Sequence, residues 1–259
     1  MTTDAKKSLG QHWLSDELSL EAMCVAADLL QGDTVLEIGP GTGELTTKLL
    51  EKGANVIALE IDQRLHPELI RRFSAYDANF SLVAGDIRTY DLTQLPSPYK
   101  IVANIPYYLT SHLLRIISES ANPPTRATLL VQKEVAERVT AEPGDMSVLG
   151  VSTQFYWQTA LGAVVPKQLF APPPKVDSQI LILQYRPKPL FDVDEKAFFR
   201  LVKAGFSERR KKLRSSLAGG LQLPKTEVEQ LLEKASINPN ARAQELSLED
   251  WNRLYQAIS

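Results

Sequence analysis

The sequence predicts an α/β fold: a doubly wound sheet followed by a small all-helical C-terminal domain. Three observations carry that expectation. Short apolar runs alternate with helix-patterned stretches through the first two thirds of the chain, the order that builds a sheet with helices on both faces. A glycine-rich loop, Gly39-Pro40-Gly41-Thr42-Gly43, lies where the first apolar run gives way to a helical pattern, and glycines there let the backbone approach a ligand closely. Beyond Arg186-Pro187-Lys188-Pro189 only helical patterns remain.

In chain order, strands are expected over Thr34–Ile38, Asn55–Glu60, Phe80–Ala84, Lys100–Asn104 and Ala127–Val131, each a short apolar run. Helical patterns such as Glu44–Glu51 and Gln63–Phe73 lie between them. Two further strands, near Thr159–Pro166 and Ser178–Tyr185, follow back to back and read as an antiparallel pair at the sheet edge. The proline-rich stretch 186–189 reads as a stiff linker. Helices are then expected over Glu195–Phe206, Arg209–Leu217, Thr226–Ala235 and Leu248–Ile258, which sets the domains at 1–186 and 187–259.

Composition bounds the setting. The chain has 259 residues, an ordinary apolar share of 44%, and a formal net charge of −2, so any nucleic-acid contact must come from a local patch. No apolar run is long enough for a transmembrane helix and none follows the N-terminus as in a signal peptide. The single cysteine, Cys24, excludes an internal disulfide, and His12, His66 and His112 are too scattered for a structural metal site. A cytoplasmic protein without a metal is expected.

The most telling motif is Asn104-Ile105-Pro106-Tyr107-Tyr108 at the end of an apolar run. Pro106 keeps the preceding residue extended, which holds the Asn104 side chain and the Ile105 carbonyl together as acceptors near an aromatic face. Two acceptors beneath an aromatic plane suit a planar ring with an exocyclic amine, such as adenine.

The glycine loop carries Glu37 at its entrance and has the form E-x-G-x-G-x-G. The dinucleotide pattern G-x-G-x-x-G fails at Glu44, and Glu37 would repel a pyrophosphate. Glu60 ends the second strand, placed to accept from ribose hydroxyls. Asp86 follows the third, placed to accept from an adenine amine. Each acid alone would pass for a cap or a solvated turn, but together they describe a nucleoside site without a phosphate anchor. S-adenosylmethionine, a nucleoside with a sulfonium cation, fits.

With these residues in place, the chain closely resembles the ribosomal RNA adenine N6-dimethyltransferase family over nearly its whole length. Lys7–Leu14 resembles the family's K-S-L-G-Q-N-F-L, Glu37–Gly43 its cofactor loop and Asn104–Tyr107 its N-[IL]-P-Y. Phe170–Ser178 resembles F-x-P-x-P-x-V-x-S, Phe206–Arg214 resembles F-x-x-R-R-K-x-L-R, and Arg242–Ser247 resembles R-A-E-x-L-S. Two positions depart: His12 stands for the family's Asn, and Trp13 for its Phe.

The resemblance implies a Rossmann-like methyltransferase sheet. It implies an enzyme that uses S-adenosylmethionine to dimethylate N6 of two adjacent adenosines near the 3′ end of small-subunit (16S) ribosomal RNA. The alternative is a non-catalytic nucleic-acid-binding relative of the same fold. Residues 1–186 would hold the methyl donor and 187–259 would dock RNA. Cofactor contacts are expected from His12, Leu14, Glu37, Gly39, Gly41, Glu60, Asp86 and Asn104. Asn104, Ile105 and Pro106 would form the N6 acceptor site, with the target base between Tyr107 and Phe170. Tyr108 is assigned to packing, and His12 to contact or packing rather than to a general base. Lys133, Arg138, Arg209, Arg210, Lys211, Lys212 and Arg214 are the expected phosphate contacts. The expected partner is ribosomal RNA in an assembling 30S subunit, met by a monomer away from membranes.

Overall fold

The computed structural model describes residues 6, 9–208 and 210–258. They form two compact units, Met1–Ala136 with Gln158–Tyr185, and Glu137–Trp157 with Arg186–Ser259. The strands are β1 (Trp13–Leu14), β2 (Thr34–Ile38), β3 (Asn55–Glu60), β4 (Phe80–Ala84), β5 (Lys100–Asn104), β6 (Arg126–Gln132), β7 (Trp157–Val165), β8 (Phe170–Ala171) and β9 (Ser178–Tyr185). The helices are α1 (Glu17–Ala26), α2 (Glu44–Glu51), α3 (His66–Phe73), α4 (Thr110–Glu119), α5 (Lys133–Val139), α6 (Val148–Tyr156), α7 (Glu195–Gly205), α8 (Leu213–Leu221), α9 (Lys225–Lys234) and α10 (Leu248–Ile258).

The first unit is built on a seven-stranded sheet ordered β4-β3-β2-β5-β6-β9-β7. Strands β2 to β6 pair in parallel, and β9 runs antiparallel to β6 from Arg126↔Gln184 to Gln132↔Ser178. Val35, Leu36, Val56, Ala58, Ile101, Val102 and Ala103 are all buried, as expected of strands covered on both faces. The chain order reverses between β2 and β5, and ligands bind outside the carboxyl ends of the strands at such a switch point. Gly39 and Asn104 lie at those two ends.

Some elements have no clear sequence signal. Helix α1 is capped by Asp16, whose carboxylate accepts from the Ser19 N–H at 2.9 Å, but its outer face carries the exposed Leu18 and Val25, which blurs its amphipathic pattern. Helix α3 begins at His66, with a proline in its first turn, three residues later than expected. The two-residue strands β1 and β8 pair antiparallel, Trp13 with Ala171 and Leu14 with Phe170, and are too short for periodicity to reveal.

The second unit packs α6 to α10 around Phe155, Phe198, Leu213, Leu232 and Trp251. Phe155 and Phe198 stack at 5.2 Å. Three features differ from the expected organisation. The unit takes in residues 137–157 as well as the C-terminal stretch, because Met146, Val151 and Phe155 bury into its core. The supposed linker is part of the unit, since the N–H groups of Arg186 and Leu190 donate to the Tyr156 and Phe155 carbonyls at 2.9 Å. Helix α8 begins at Leu213 rather than Arg209, because Lys212 is extended and the Leu213 N–H donates to the Ala241 carbonyl at 2.8 Å.

Candidate active site

One cavity of about 110 Å³ opens at the carboxyl ends of β2, β3 and β5, and extends to Gly85-Asp86 after β4. His12, Leu14, Glu37, Gly39, Gly41, Glu60, Asp86, Asn104, Ile105, Pro106 and Tyr107 all line it. Phe170 does not. It is 4% exposed, pairs in β8 with Leu14, and belongs to an apolar cluster with Leu14, Val165 and Ile180. The ring expected opposite Tyr107 packs in this structure beside Leu14, which itself lines the cavity; the local sequence shows an aromatic near a proline run, and only the β1–β8 pairing shows where the ring sits.

The glycine loop shapes the cavity floor. Gly43 caps α2 with φ of 88°, and a Cβ there would stand 2.8 Å from the Phe73 ring, so the turn and the helix seat admit only glycine. The Gly41 N–H donates to Glu60 Oε2 at 3.2 Å, and the Asp62 N–H donates to Glu60 Oε1 at 2.7 Å. These two bonds fix the Glu60 carboxyl beside the loop. Burial pushes its pKa up, and the two N–H donors oppose that shift.

Glu37 lies deeper, 1% exposed. Desolvation pushes its pKa up to about 8, although the Thr46 hydroxyl donates to Oε2 at 2.6 Å and works the other way. Burial thus favours the protonated form of Glu37, which lessens its repulsion with Glu60. Asp86 is the opposite case. The Arg88 guanidinium grips both its oxygens, with Nη2 at 2.5 Å and Nε at 2.8 Å from Oδ2, and its pKa is lowered. An ionised Asp86 is an acceptor at the rim, and a carboxylate keeps lone pairs free beyond those Arg88 takes.

The Asn104–Tyr107 motif is braced from far along the chain. Asn104 Nδ2 donates to the His12 carbonyl at 3.2 Å, which leaves the side-chain oxygen as the group offered to a ligand. The Tyr107 hydroxyl shares a hydrogen bond of 2.8 Å with Ser178 Oγ, and the His12 ring stacks on Tyr107 at 5.9 Å. His12 Nδ1 lies 2.7 Å from the Pro172 carbonyl. A carbonyl can only accept, so the proton sits on Nδ1. His12 is therefore a brace between the β8 loop, Tyr107 and Asn104.

Four cavity-wall residues have roles that local sequence does not announce. Gln11 ties the N-terminal segment to the end of β3 by donating to Asp62 at 3.2 Å, and Arg88 holds Asp86. Trp13 puts its indole beside Gly41, with Nε1 buried and without a partner among the described residues. Tyr108 is 61% exposed, which corrects its assignment to packing. It sits in the tight turn Tyr107–Leu109, where successive side chains diverge by about 120°. Leu109 faces the core and Tyr108 faces out, its ring against Gly10.

Among the expected phosphate contacts, Arg209 lies outside the described residues. Lys133 and Arg138 are exposed on α5, and Arg210, Lys211 and Lys212 are exposed ahead of α8. Part of this charge is already partnered. Lys211 is 2.5 Å from Glu208, Lys212 donates to Asn240 at 2.7 Å, and Arg214 pairs with Glu229 at 2.5 Å. Arg214 is thus tied to α9. Among the described residues no cluster of His, Cys, Asp or Glu could hold a metal, and no helix is long and apolar enough to cross a membrane.

Comparison with known proteins places this geometry. Residues 2–259 match the profile of the family described as ribosomal RNA adenine dimethylase. The protein called ribosomal RNA small subunit methyltransferase A from Dehalococcoides mccartyi (strain CBDB1) is 42% identical over 257 residues, 98% of this chain and 88% of its own. Its namesake from Lactococcus lactis subsp. lactis is 39% identical over 98% of this chain and 90% of its own. Among solved structures, a dimethyladenosine transferase from Plasmodium falciparum superposes with a TM-score of 0.80 at 28% identity, covering 94% of this chain and 96% of that one. The 23S rRNA methyltransferase ErmE gives 0.78 at 30% identity, with 95% and 99% covered.

Proposed function

The chain belongs to the ribosomal RNA adenine dimethylase family, and from that premise we propose that it dimethylates N6 of two adjacent adenosines near the 3′ end of small-subunit ribosomal RNA. The observation that carries the chemistry is the Asn104–Tyr107 motif at the end of β5, opening into the same cavity as Glu60 and Asp86. The relatives named above at 42% and 39% identity carry the choice of subunit.

The cavity suits S-adenosylmethionine. Its walls offer acceptors for ribose hydroxyls at Glu60 and for an adenine amine at Asp86, glycine backbone between them, and acidic groups rather than a phosphate anchor. When bound, that cofactor supplies an electrophilic methyl group on a sulfonium. Every other requirement falls to the protein. The adenine N6 lone pair is delocalised into the ring and must be freed for attack. Asn104 Oδ1 and the Ile105 carbonyl accept the two N6 hydrogens, align the lone pair and favour the positive charge that develops on nitrogen. The N6 proton becomes acidic once the bond forms, so no strong base is required beforehand. Tyr107, held by Ser178 and His12, supplies the stacking face. A base paired or stacked in RNA must be drawn out to reach this depth.

Substrate docking is assigned to the basic segment ahead of α8, with Lys133 and Arg138 on α5. Changing Arg209, Arg210, Lys211 and Lys212 to Ala should weaken binding to the small subunit and lower its salt slope by about 3, since the slope scales with phosphates neutralised. Affinity for S-adenosylhomocysteine should not change. An unaltered slope would remove the segment from the interface. Tyr108 offers an exposed ring to a nucleotide beside the target. Tyr108→Ala should cost RNA binding ~1–3 kcal/mol, the range for base–aromatic stacking, and equal affinity would count against that contact.

Phosphate contacts position the protein without reading sequence, so the target is set by which adenine reaches the cavity once the protein is docked on folded RNA. An assembling 30S subunit in the cytoplasm, met by a monomer, is the substrate this reading favours. The test is to map methylated adenosines after incubation with small and large subunits that lack the modification. Methylation confined to the large subunit would overturn the assignment.

A further inference from the structure

The Trp13 indole has a role that the cavity's other residues leave open. Its N–H is buried and has no partner among the described residues, an arrangement that is costly unless an acceptor arrives. The residue lines the cavity. Its pyrrole edge faces Gly41: a Cβ on that glycine would stand 3.7 Å from both Cδ1 and Nε1, so the absent side chain keeps this edge close to the loop. Among the described residues, the one guanidinium or ammonium group on the cavity wall is already engaged. Glu37, Glu44, Glu60 and Asp86 are acids, and Arg88 is engaged by Asp86. Gly41 gives its own N–H to Glu60. A ribose brings its own hydroxyl protons to Glu60. A carboxylate brings none and needs a donor.

We propose that Trp13 Nε1–H donates a hydrogen bond to the amino-acid carboxylate of bound S-adenosylmethionine, a contact that a phenylalanine at this position cannot make. The inference rests on the assignment of the cavity to that cofactor.

Calorimetry on the full chain tests it with two probes. S-adenosylhomocysteine carries the carboxylate, whereas 5′-methylthioadenosine keeps the adenine and ribose and lacks it. Trp13→Phe preserves an aromatic ring in the wall and removes only the donor. Its unfolding temperature and the near-ultraviolet signal of Trp157 and Trp251 report that the fold is intact. The expected result is about tenfold weaker binding of S-adenosylhomocysteine, the loss of one charge-assisted hydrogen bond, with binding of 5′-methylthioadenosine unchanged. Loss of affinity for neither probe, or equal loss for both, overturns the proposal. Failure of the wild-type protein to bind S-adenosylhomocysteine would instead overturn the cofactor assignment itself.

Discussion

Asn104→Ala should lose methyl transfer while the protein still folds and still binds S-adenosylhomocysteine. The side chain is only partly buried at the end of β5, and its amide donates to the His12 carbonyl at 3.2 Å, so truncation opens no core cavity. What disappears is the acceptor that meets the N6 hydrogens as positive charge builds on nitrogen. Removing one such preorganised group costs on the order of 3 kcal/mol, a rate factor of a hundred or more. Single-turnover methylation of unmodified small subunits reads the chemical step directly, and calorimetry with S-adenosylhomocysteine separates it from binding. A rate within threefold of wild type would show that Asn104 is not the N6 acceptor. Asn104→Asp is a sharper control. It keeps an oxygen but loses the donor that the His12 carbonyl now accepts, so the His12 brace should loosen.

The second large effect is a pH dependence of stability that Glu37 imposes. Its pKa stands near 4.5 in the unfolded chain and is pushed up to about 8 by burial in the fold. Between those values the native state holds a proton that the unfolded state has released. Stability from this group is therefore fully present below about 4.5 and is lost as pH rises through about 8. The direction is the reverse of the usual salt-bridged carboxylate. Glu37→Gln mimics the neutral acid and can still accept from the Thr46 hydroxyl. The variant should match wild type near pH 4.5 and gain on it steadily towards pH 8, by a few kcal/mol in all, at no more than about 1.4 kcal/mol per pH unit. Denaturant unfolding of both proteins at a series of pH values measures the difference. A constant gap between the two curves would mean that Glu37 is ionised in the fold at neutral pH.

Much of the site was legible from local pattern. The central strands could be read because burial on both faces demands unbroken apolar runs, as in Ile101-Val102-Ala103. The loop at Gly39–Gly43 could be read because positive φ and close approach to Phe73 demand glycine. Glu37, Glu60, Asp86 and Asn104 could be grouped from their positions in the chain alone. A parallel sheet delivers the ends of successive strands to one edge, whatever the intervening helices look like.

Other features depend on partners distant in the chain. Phe170 reads as an aromatic near a proline run, and only its pairing with Leu14 shows where the ring packs. Tyr108 reads as packing until the turn throws it outward. His12 becomes a brace only through Asn104, Tyr107 and Pro172, up to 160 residues away. Residues 137–157 join the second unit because Phe155 finds Phe198 and Phe199. The sequence by itself determined the sheet, the glycine loop and the Asn104–Tyr107 turn, since each obeys a local rule of backbone geometry or periodicity. Tertiary structure alone decided which aromatic rings face the cavity and which fill the core, because a ring's burial depends on what packs against it, and two-residue strands and single side-chain bonds leave no period to read.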